Sequence, residues 1–349
     1  MYIVEIFIFI YIFAIIVEQS KYEAKKVILI VGCIILTFFA GTRDIYFWPD
    51  TFVYYKDFVE YNTDIFNFTS SAAPFGYSEK GFQFLGSIVK TFTSNATIYF
   101  SFVAGLSFFF LYKFLRQYCI YPVLGLAVYI SRFLLGRNFV QIRSGLAYLI
   151  ILLGIKYVTE RDWKRYFLIV FIAFLFHRSA LIAIPLYFMG MINVKKWHVV
   201  AGTALSFIIS GFFNDELQLL ISDNAHDLNI YSYTVGLEVE KAKGLANPVI
   251  YFQTIILLFY TFAEDRLIPT TKHYYTFRNA YLFSTMILIA FCHYVGLSGR
   301  TSTLFATLEV VLIPSSIFLF QKKNRIVAYI GIGIILGYFF FAKYNNALA

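Results

Sequence analysis

Arginine side chains interrupt the apolar stretches of this sequence at points where several segments could bring them together. The arginines with this character are Arg43, Arg137, Arg143, Arg178 and Arg300. An arginine at the centre of a membrane helix costs about 2.5–3.5 kcal/mol, so such residues usually have a partner or a function. Guanidinium groups that converge can grip a diphosphate through paired hydrogen bonds. The pattern predicts an anion site, whereas Arg132 is explained equally well by snorkelling or by a neighbouring acid.

Three side chains are candidates for a general base, namely His177, Asp50 and Glu79. His177 lies within an apolar run beside Arg178, and a neighbouring cation disfavours the imidazolium, which leaves a neutral ring able to accept a proton. A hydrogen-bonded structural histidine is the alternative.

The two carboxylates also have structural alternatives. Asp50 follows Trp48-Pro49 and could be a base, an arginine partner or an Asx-type turn cap. Glu79 could favour a helix N-terminus electrostatically. Tyr54 is placed to contact a sugar ring or the membrane interface. No carboxylate pair has metal-ligand spacing, so the sequence predicts neither a metal site nor a cofactor.

The composition indicates whether the protein that positions these residues folds in water or in a lipid bilayer. Of the 349 residues, 60% are hydrophobic and only 14% are charged, against about 25% charged residues in soluble domains. The mean hydropathy is +0.70. The net charge of +9 is explained by topology-determining Lys and Arg, so no nucleic-acid partner is expected. The three cysteines are isolated in apolar runs and predict no disulfide framework.

The apolar segments predict an all-α, polytopic membrane helix bundle that forms a single transmembrane domain over residues 1–349. A spanning helix needs about 20 apolar residues, and we expect about 10–12 transmembrane segments with two longer extracytoplasmic loops, 41–96 and 214–248. The candidate segments are 2–17, 27–40, 97–112, 121–135, 143–157, 166–176, 179–191, 199–213, 249–263, 279–297, 303–320 and 326–342.

Residues 166–191 decide the topology. Basic clusters flank both ends of this stretch, at 161–165 and 195–196, and basic loops prefer the cytoplasm. A single crossing would place the two clusters on opposite faces. We therefore predict a short hairpin or re-entrant pair that turns at His177-Arg178, with the N-terminus outside and the candidate site residues on the outer face.

Several of these residues lie in motifs that resemble the EpsG/Wzy family of bacterial polysaccharide polymerases. Gly41-x-Arg43, followed by Asp50-Thr51 with Tyr54 or Tyr55 and Phe58, resembles the family's "GxR…GxDTxxY" opening, although Trp48-Pro49 stands where the family usually has glycine. The remaining matches are Glu79-x-Gly81-Phe82 to "E-x-G-[FY]", Arg143-Ser144-Gly145-Leu146-Ala147 to "R-[QS]-x-[LI]-A", Phe176-His177-Arg178-Ser179-Ala180 to "FHxSA", and Arg300 to a late arginine segment.

The resemblance implies a metal-independent glycosyltransferase in the bacterial inner membrane. Such enzymes transfer a growing glycan from undecaprenyl diphosphate to the non-reducing end of a lipid-linked repeat unit, on the periplasmic or outer face. It implies an undecaprenyl-diphosphate-linked oligosaccharide and membrane lipid as partners, and a chain-length regulator protein as a further candidate. On this interpretation the five arginines hold the diphosphate, while His177, Asp50 and Glu79 are the candidate bases.

Two other functions fit the same sequence. A transporter or flippase for lipid-linked oligosaccharides would also place arginines in a lateral cavity, although paired repeats, which transporters often show, are not evident. An O-antigen ligase-like glycosyltransferase would differ only in its acceptor, which the sequence does not reveal.

Overall fold

The computed structural model describes residues 2–17, 22–68, 79–212 and 243–348, which form helices without a β-strand among them. The α-helices are α1 Tyr2–Val17, α2 Tyr22–Gly41, α3 Thr51–Lys56, α4 Lys80–Lys90, α5 Ala96–Tyr118, α6 Pro122–Tyr129, α7 Ile142–Thr159, α8 Trp163–Phe176, α9 Ile184–Met189, α10 Lys196–Phe212, α11 Pro248–Phe262, α12 Glu264–Leu267, α13 Tyr274–Ala290, α14 Val295–Ala306, α15 Glu309–Ser316 and α16 Arg325–Leu348. Two π-helical segments, Asp57–Tyr61 and Ile130–Val140, continue α3 and α6.

Five helices of the described residues are long and apolar enough to cross a membrane: Glu23–Gly41, Ala96–Tyr118, Pro122–Val140, Ile142–Thr159 and Lys322–Asn345. In lipid, a helix satisfies its backbone hydrogen bonds internally, which explains why apolar runs adopt this form. Large apolar side chains such as Ile34 and Ile334 are exposed on these helices, as lipid-facing residues are. The predicted all-α polytopic membrane fold is confirmed. The number of 10–12 segments stays a prediction.

The chain divides into two compact units. The first unit consists of residues 1–183 and 309–349, and the second of residues 184–308. In the second unit, Ile250 of α11 and Leu288 and Ile289 of α13 form a buried cluster. Arg278 is buried within α13, where its Nη1 lies 3.2 Å from Glu264 Oε2.

The predicted interruption at His177-Arg178 is present in the first unit. α8 ends at Phe176, His177 is extended (φ −161°, ψ 132°), and a 3₁₀ helix follows over Arg178–Ala183. The Tyr166 hydroxyl donates to the Ala183 carbonyl at 2.7 Å. These residues would be roughly 25 Å apart in a straight helix, so the chain folds back along α8 after His177.

The segment predicted as an outer loop, 41–96, is largely helical where it is described. Asp64 accepts hydrogen bonds from the backbone N–H groups of Phe66 and Asn67 and so caps a 3₁₀ turn, and α4 buries Phe82 and Val89 along one face. This amphipathic spacing is typical of a helix that packs on one side only. Of the other predicted loop, 214–248, residues 214–242 lie outside the residues that the structure describes.

The predicted boundaries near the C-terminus are wrong in two places. The segment 303–320 is divided between α14 and α15, and Arg300 lies within α14 rather than between two helices. The stretch 279–297 is interrupted after Ala290, where α13 ends.

A buried ion pair joins the π-helical segment to α15. Arg132 Nε lies 2.7 Å from Glu309 Oε2, Arg132 Nη2 lies 3.3 Å from Glu309 Oε1, and their side chains are 3% and 0% exposed. The Lys343 ammonium donates to the Arg132 carbonyl, and the Arg132 guanidinium lies 4.5 Å from the Phe339 ring centre. Both charges are thus compensated, and the pair is a packing feature of the first unit.

We expect Arg132→Met to destabilise the protein by about 3–5 kcal/mol, because the buried Glu309 carboxylate then loses the guanidinium that pairs with it. The double variant Arg132→Met/Glu309→Leu should recover most of this loss. The free energy of unfolding in mild detergent measures both. A double variant that is no more stable than the single one would contradict this account of the pair.

A glycine allows α4 to approach α8. A Cβ built on Gly81 would lie 2.7 Å from both the Cβ and the carbonyl oxygen of Leu175. The backbone oxygen cannot move aside as a flexible side chain can, so a larger residue would push the two helices apart.

Gly81→Ala should therefore destabilise the protein by about 1–3 kcal/mol, as overpacking typically does. Gly331→Ala in α16 is the matched control, because its added Cβ would meet nothing within 4 Å. Thermal unfolding of both variants checks this, and equal stabilities would show that the helices are not in close contact at Gly81.

Candidate functional site

Three predicted arginines of the first unit, Arg43, Arg137 and Arg143, lie at or contact the junction between the π-helical segment Ile130–Val140 and α7. The backbone leaves helical geometry at Gln141 (φ −91°, ψ 57°), which separates Arg137 on one element from Arg143 on the next. Irregular backbone at such a point is typical of functional sites in membrane helices.

Arg43 is buried just after α2 and only part of its guanidinium is bound. Its Nη1 donates to the carbonyl oxygens of Ala40 and Asn138, both at 2.8 Å, and its Cζ lies 4.0 Å from the Phe100 ring centre. Its Nε and Nη2 are buried without a hydrogen-bond partner among the described residues. Burial lowers the pKa of Arg43 to about 10, so the group stays charged at neutral pH. Unpaired buried donors are costly, and an anionic oxygen would satisfy them.

Arg143, at the start of α7, joins two other predicted residues. Its Nη1 forms an ion pair with Glu79, with side chains 11% and 9% exposed, and its Nε lies 3.4 Å from the Tyr54 hydroxyl. Glu79 occupies the N-cap position of α4, but its side chain makes no capping hydrogen bond. The carboxylate faces Arg143 instead of the helix N-terminus.

Asp50 does not act as a turn cap. Its backbone is in the left-handed region (φ 64°), it precedes α3, and its side chain makes no capping hydrogen bond. The side chain is exposed, and its charge acts on the buried Tyr54 hydroxyl together with that of Glu79. The cap interpretation of Asp50 is therefore wrong, and the carboxylate is available for other contacts.

The structure adds a residue that the sequence argument missed, Asp57. Asp57 is 7% exposed, and burial raises the pKa of its carboxyl, an effect that the nearby Arg143 charge opposes. The buried side chains of this stretch are Thr51, Tyr54, Asp57 and Phe58. Their spacing of three and four residues is helical, and it could have identified Asp57 on the same face as Tyr54.

Tyr99 of α5 lies beside these groups. Phe58 stacks on the Tyr99 ring at 4.2 Å. The Tyr99 hydroxyl interacts electrostatically with Arg43, Asp57 and Arg143. These charged side chains, from three separate stretches of the chain, therefore share one neighbourhood.

His177 is linked to this region through hydroxyl groups. Its Nδ1 lies 2.5 Å from Ser179 Oγ, which lies 2.6 Å from the Tyr148 hydroxyl. The Arg137 guanidinium lies 4.4 Å from the Tyr148 ring centre and Nη1 donates to Ser144 Oγ at 2.8 Å. Arg178 is exposed on the turn after His177.

The predicted set is thus partly assembled. Arg43, Arg143, Tyr54 and Glu79 meet in the first unit, and Arg137 and His177 adjoin them through Tyr148. Arg300 belongs to the second unit, and its side chain lies outside what the structure describes. Within the described ranges, no three His, Cys, Asp or Glu side chains are grouped as metal ligands.

The comparisons agree with the motifs. The model of the EpsG family matches residues 26–349, which include every residue of the site. No curated protein and no solved structure matches the chain. Family membership supports a polysaccharide polymerase-like role for a membrane protein. The chain belongs to the EpsG family.

Proposed function

We propose that this protein is a glycosyltransferase that lengthens a polysaccharide on the outer face of the bacterial inner membrane. The growing glycan leaves its undecaprenyl diphosphate carrier and joins the non-reducing end of a lipid-linked repeat unit. The observation that supports this most directly is the buried Arg43 guanidinium, two of whose nitrogens lack a described partner, beside Arg143 and buried carboxyl groups.

The chemistry assigns a task to each kind of group. The bond between the anomeric carbon and the diphosphate oxygen breaks while the acceptor hydroxyl oxygen forms the new bond to that carbon. Negative charge develops on the diphosphate, and preorganised guanidinium donors in a low-dielectric site stabilise it. We assign this role to Arg43 and Arg143, with Arg137 and Arg178 as further contributors.

The acceptor proton must pass to a base. Three carboxylates lie near Tyr54 and Arg143, namely Asp50, Asp57 and Glu79. Asp57 fits best, because burial raises its pKa towards the working pH, where a general base is most effective. Glu79 is held by Arg143, and we assign to it the orientation of that guanidinium.

Arg43→Lys and Arg143→Lys should each reduce glycan elongation by about 100-fold, because a lysine keeps the charge but loses the planar pair of donors. The measurement uses purified protein in lipid vesicles with a polyprenyl-diphosphate-linked repeat unit, and follows product length. Arg165→Lys is the matched control, since Arg165 is exposed, forms an ion pair with Asp162 and lies over the Tyr157 ring.

The same assay separates the rival functions. A transporter would move the lipid-linked glycan between leaflets without lengthening it, and a ligase would need a different acceptor. Wild-type protein that fails to lengthen the glycan, or lysine variants with full activity, would contradict the proposal.

Asp57→Asn should lower the elongation rate at every pH, because an amide cannot accept the proton. In the wild type the rate should fall as the pH drops through the raised pKa of Asp57, since a protonated carboxyl is no longer a base. Asp64→Asn is the control, because Asp64 is exposed, its pKa is lowered by hydrogen bonds from Asn67, and asparagine caps equally well. An Asp57→Asn variant that retained the wild-type pH–rate profile would exclude Asp57 as the base.

A further inference from the structure

We infer that His177 acts in this site as a hydrogen-bond donor through Nε2–H, and not as the general base. This role rests on the proposed glycan transfer. In this arrangement Ser179 positions the imidazole, and Tyr148 positions Ser179.

The backbone determines where the His177 proton resides. The Ser179 backbone N–H donates to His177 Nδ1 at 3.2 Å. A backbone N–H is always a donor, so Nδ1 must present its lone pair to it. A neutral imidazole carries its single proton on the other nitrogen, which is Nε2. In this tautomer Nε2 has no lone pair available to take a proton from an acceptor hydroxyl.

The Ser179 side chain reinforces the same arrangement. Its Oγ lies 2.5 Å from His177 Nδ1 and 2.6 Å from the Tyr148 hydroxyl. Because Nδ1 already accepts from a backbone N–H, the consistent assignment has Ser179 Oγ–H donating to Nδ1 and the Tyr148 O–H donating to Ser179 Oγ. The hydroxyl protons of Ser179 and Tyr148 then each have an acceptor.

The arginines near this series of hydrogen bonds indicate what His177 Nε2–H would bind. The Arg137 guanidinium lies against the Tyr148 ring at 4.4 Å, and Arg178 follows His177 directly. An imidazole N–H donor in a region that also contains these two arginines suits an anionic oxygen. We therefore assign His177 to the diphosphate of the carrier, as a neutral donor that stabilises the leaving group without gaining or losing a proton.

Nitrogen NMR tests the tautomer without reference to activity. The full-length protein, labelled with ¹⁵N-histidine and embedded in lipid bilayers, contains five histidines, and His177→Gln identifies the His177 signals by their loss. We expect an unprotonated Nδ1 and a protonated Nε2 near neutral pH. A protonated Nδ1 would overturn the inference, even if the protein proves to be a polymerase.

The same spectra test whether Ser179 positions the His177 imidazole. In Ser179→Ala the hydroxyl donor is lost while the backbone N–H remains, so the fraction of His177 with a protonated Nδ1 should rise. A purely structural role of Ser179 would leave this fraction unchanged, and that result would exclude Ser179 as a positioning residue.

A pair of variants tests the role in catalysis. The Gln side chain places an amide N–H close to the position of Nε2 but cannot act as a base, whereas a Glu side chain can accept a proton but has none to donate when ionised. We expect His177→Gln to elongate glycans at least about ten-fold faster than His177→Glu, which corresponds to one hydrogen bond to a charged group. Equal rates, or a faster Glu variant, would show that proton acceptance is the function of His177. If the wild type elongates no glycan, the proposed function fails, while the NMR result still decides the tautomer.

Discussion

The cost of burying a guanidinium group among apolar helices governs this structure. The first unit meets this cost in different ways at different positions. Arg132 is matched by the Glu309 carboxylate in a fully buried pair, and Arg143 is matched by Glu79 and approached by the Tyr54 hydroxyl. Arg43 is matched only in part, by carbonyl oxygens and the face of Phe100. The degree of compensation separates Arg132, which stabilises the fold, from Arg43, to which we assign an anionic ligand.

Interruptions of the helices provide the partners for these charges. The last carbonyl groups of a helix have no partner within it, so a side chain from elsewhere can bind them. One of the two carbonyl groups that bind Arg43 belongs to Asn138, near the end of the π-helical segment. The ring of His177 is bound where α8 gives way to a 3₁₀ turn. In a lipid environment such breaks are tolerated only where protein or water surrounds them, which explains why the polar groups and the irregular backbone coincide.

The sequence allowed the fold class and the break at His177 to be predicted, because both follow from the energetics of the bilayer. Hydropathy identifies spanning helices directly, and the basic clusters on both sides of residues 166–191 required a reversal of the chain. The helices within 41–96 were missed since α3 and α4 bury only one face each, so their apolar residues are too sparse for a hydropathy argument. Asp57 was missed because its burial depends on packing against α5, although its helical spacing from Tyr54 indicates the shared face. Arg300 was grouped with the others by residue type and by its match to a family motif, and its part in the site stays a prediction.

The motif that opens the family resemblance gains a physical explanation from the contact between α2 and α5. A Cβ built on Gly41 would lie 1.9 Å from Ser101 Oγ and 2.8 Å from Ser101 Cα. The two helices therefore cross at this glycine, and any larger residue would separate them. The crossing places Arg43, two residues further on, over the ring of Phe100, which precedes Ser101. Gly81 has the same relation to Leu175, and Glu79, two residues before it, meets Arg143. Close helix crossings thus fix the main chain beside each of these charged groups, so that long side chains from distant stretches are held in one place.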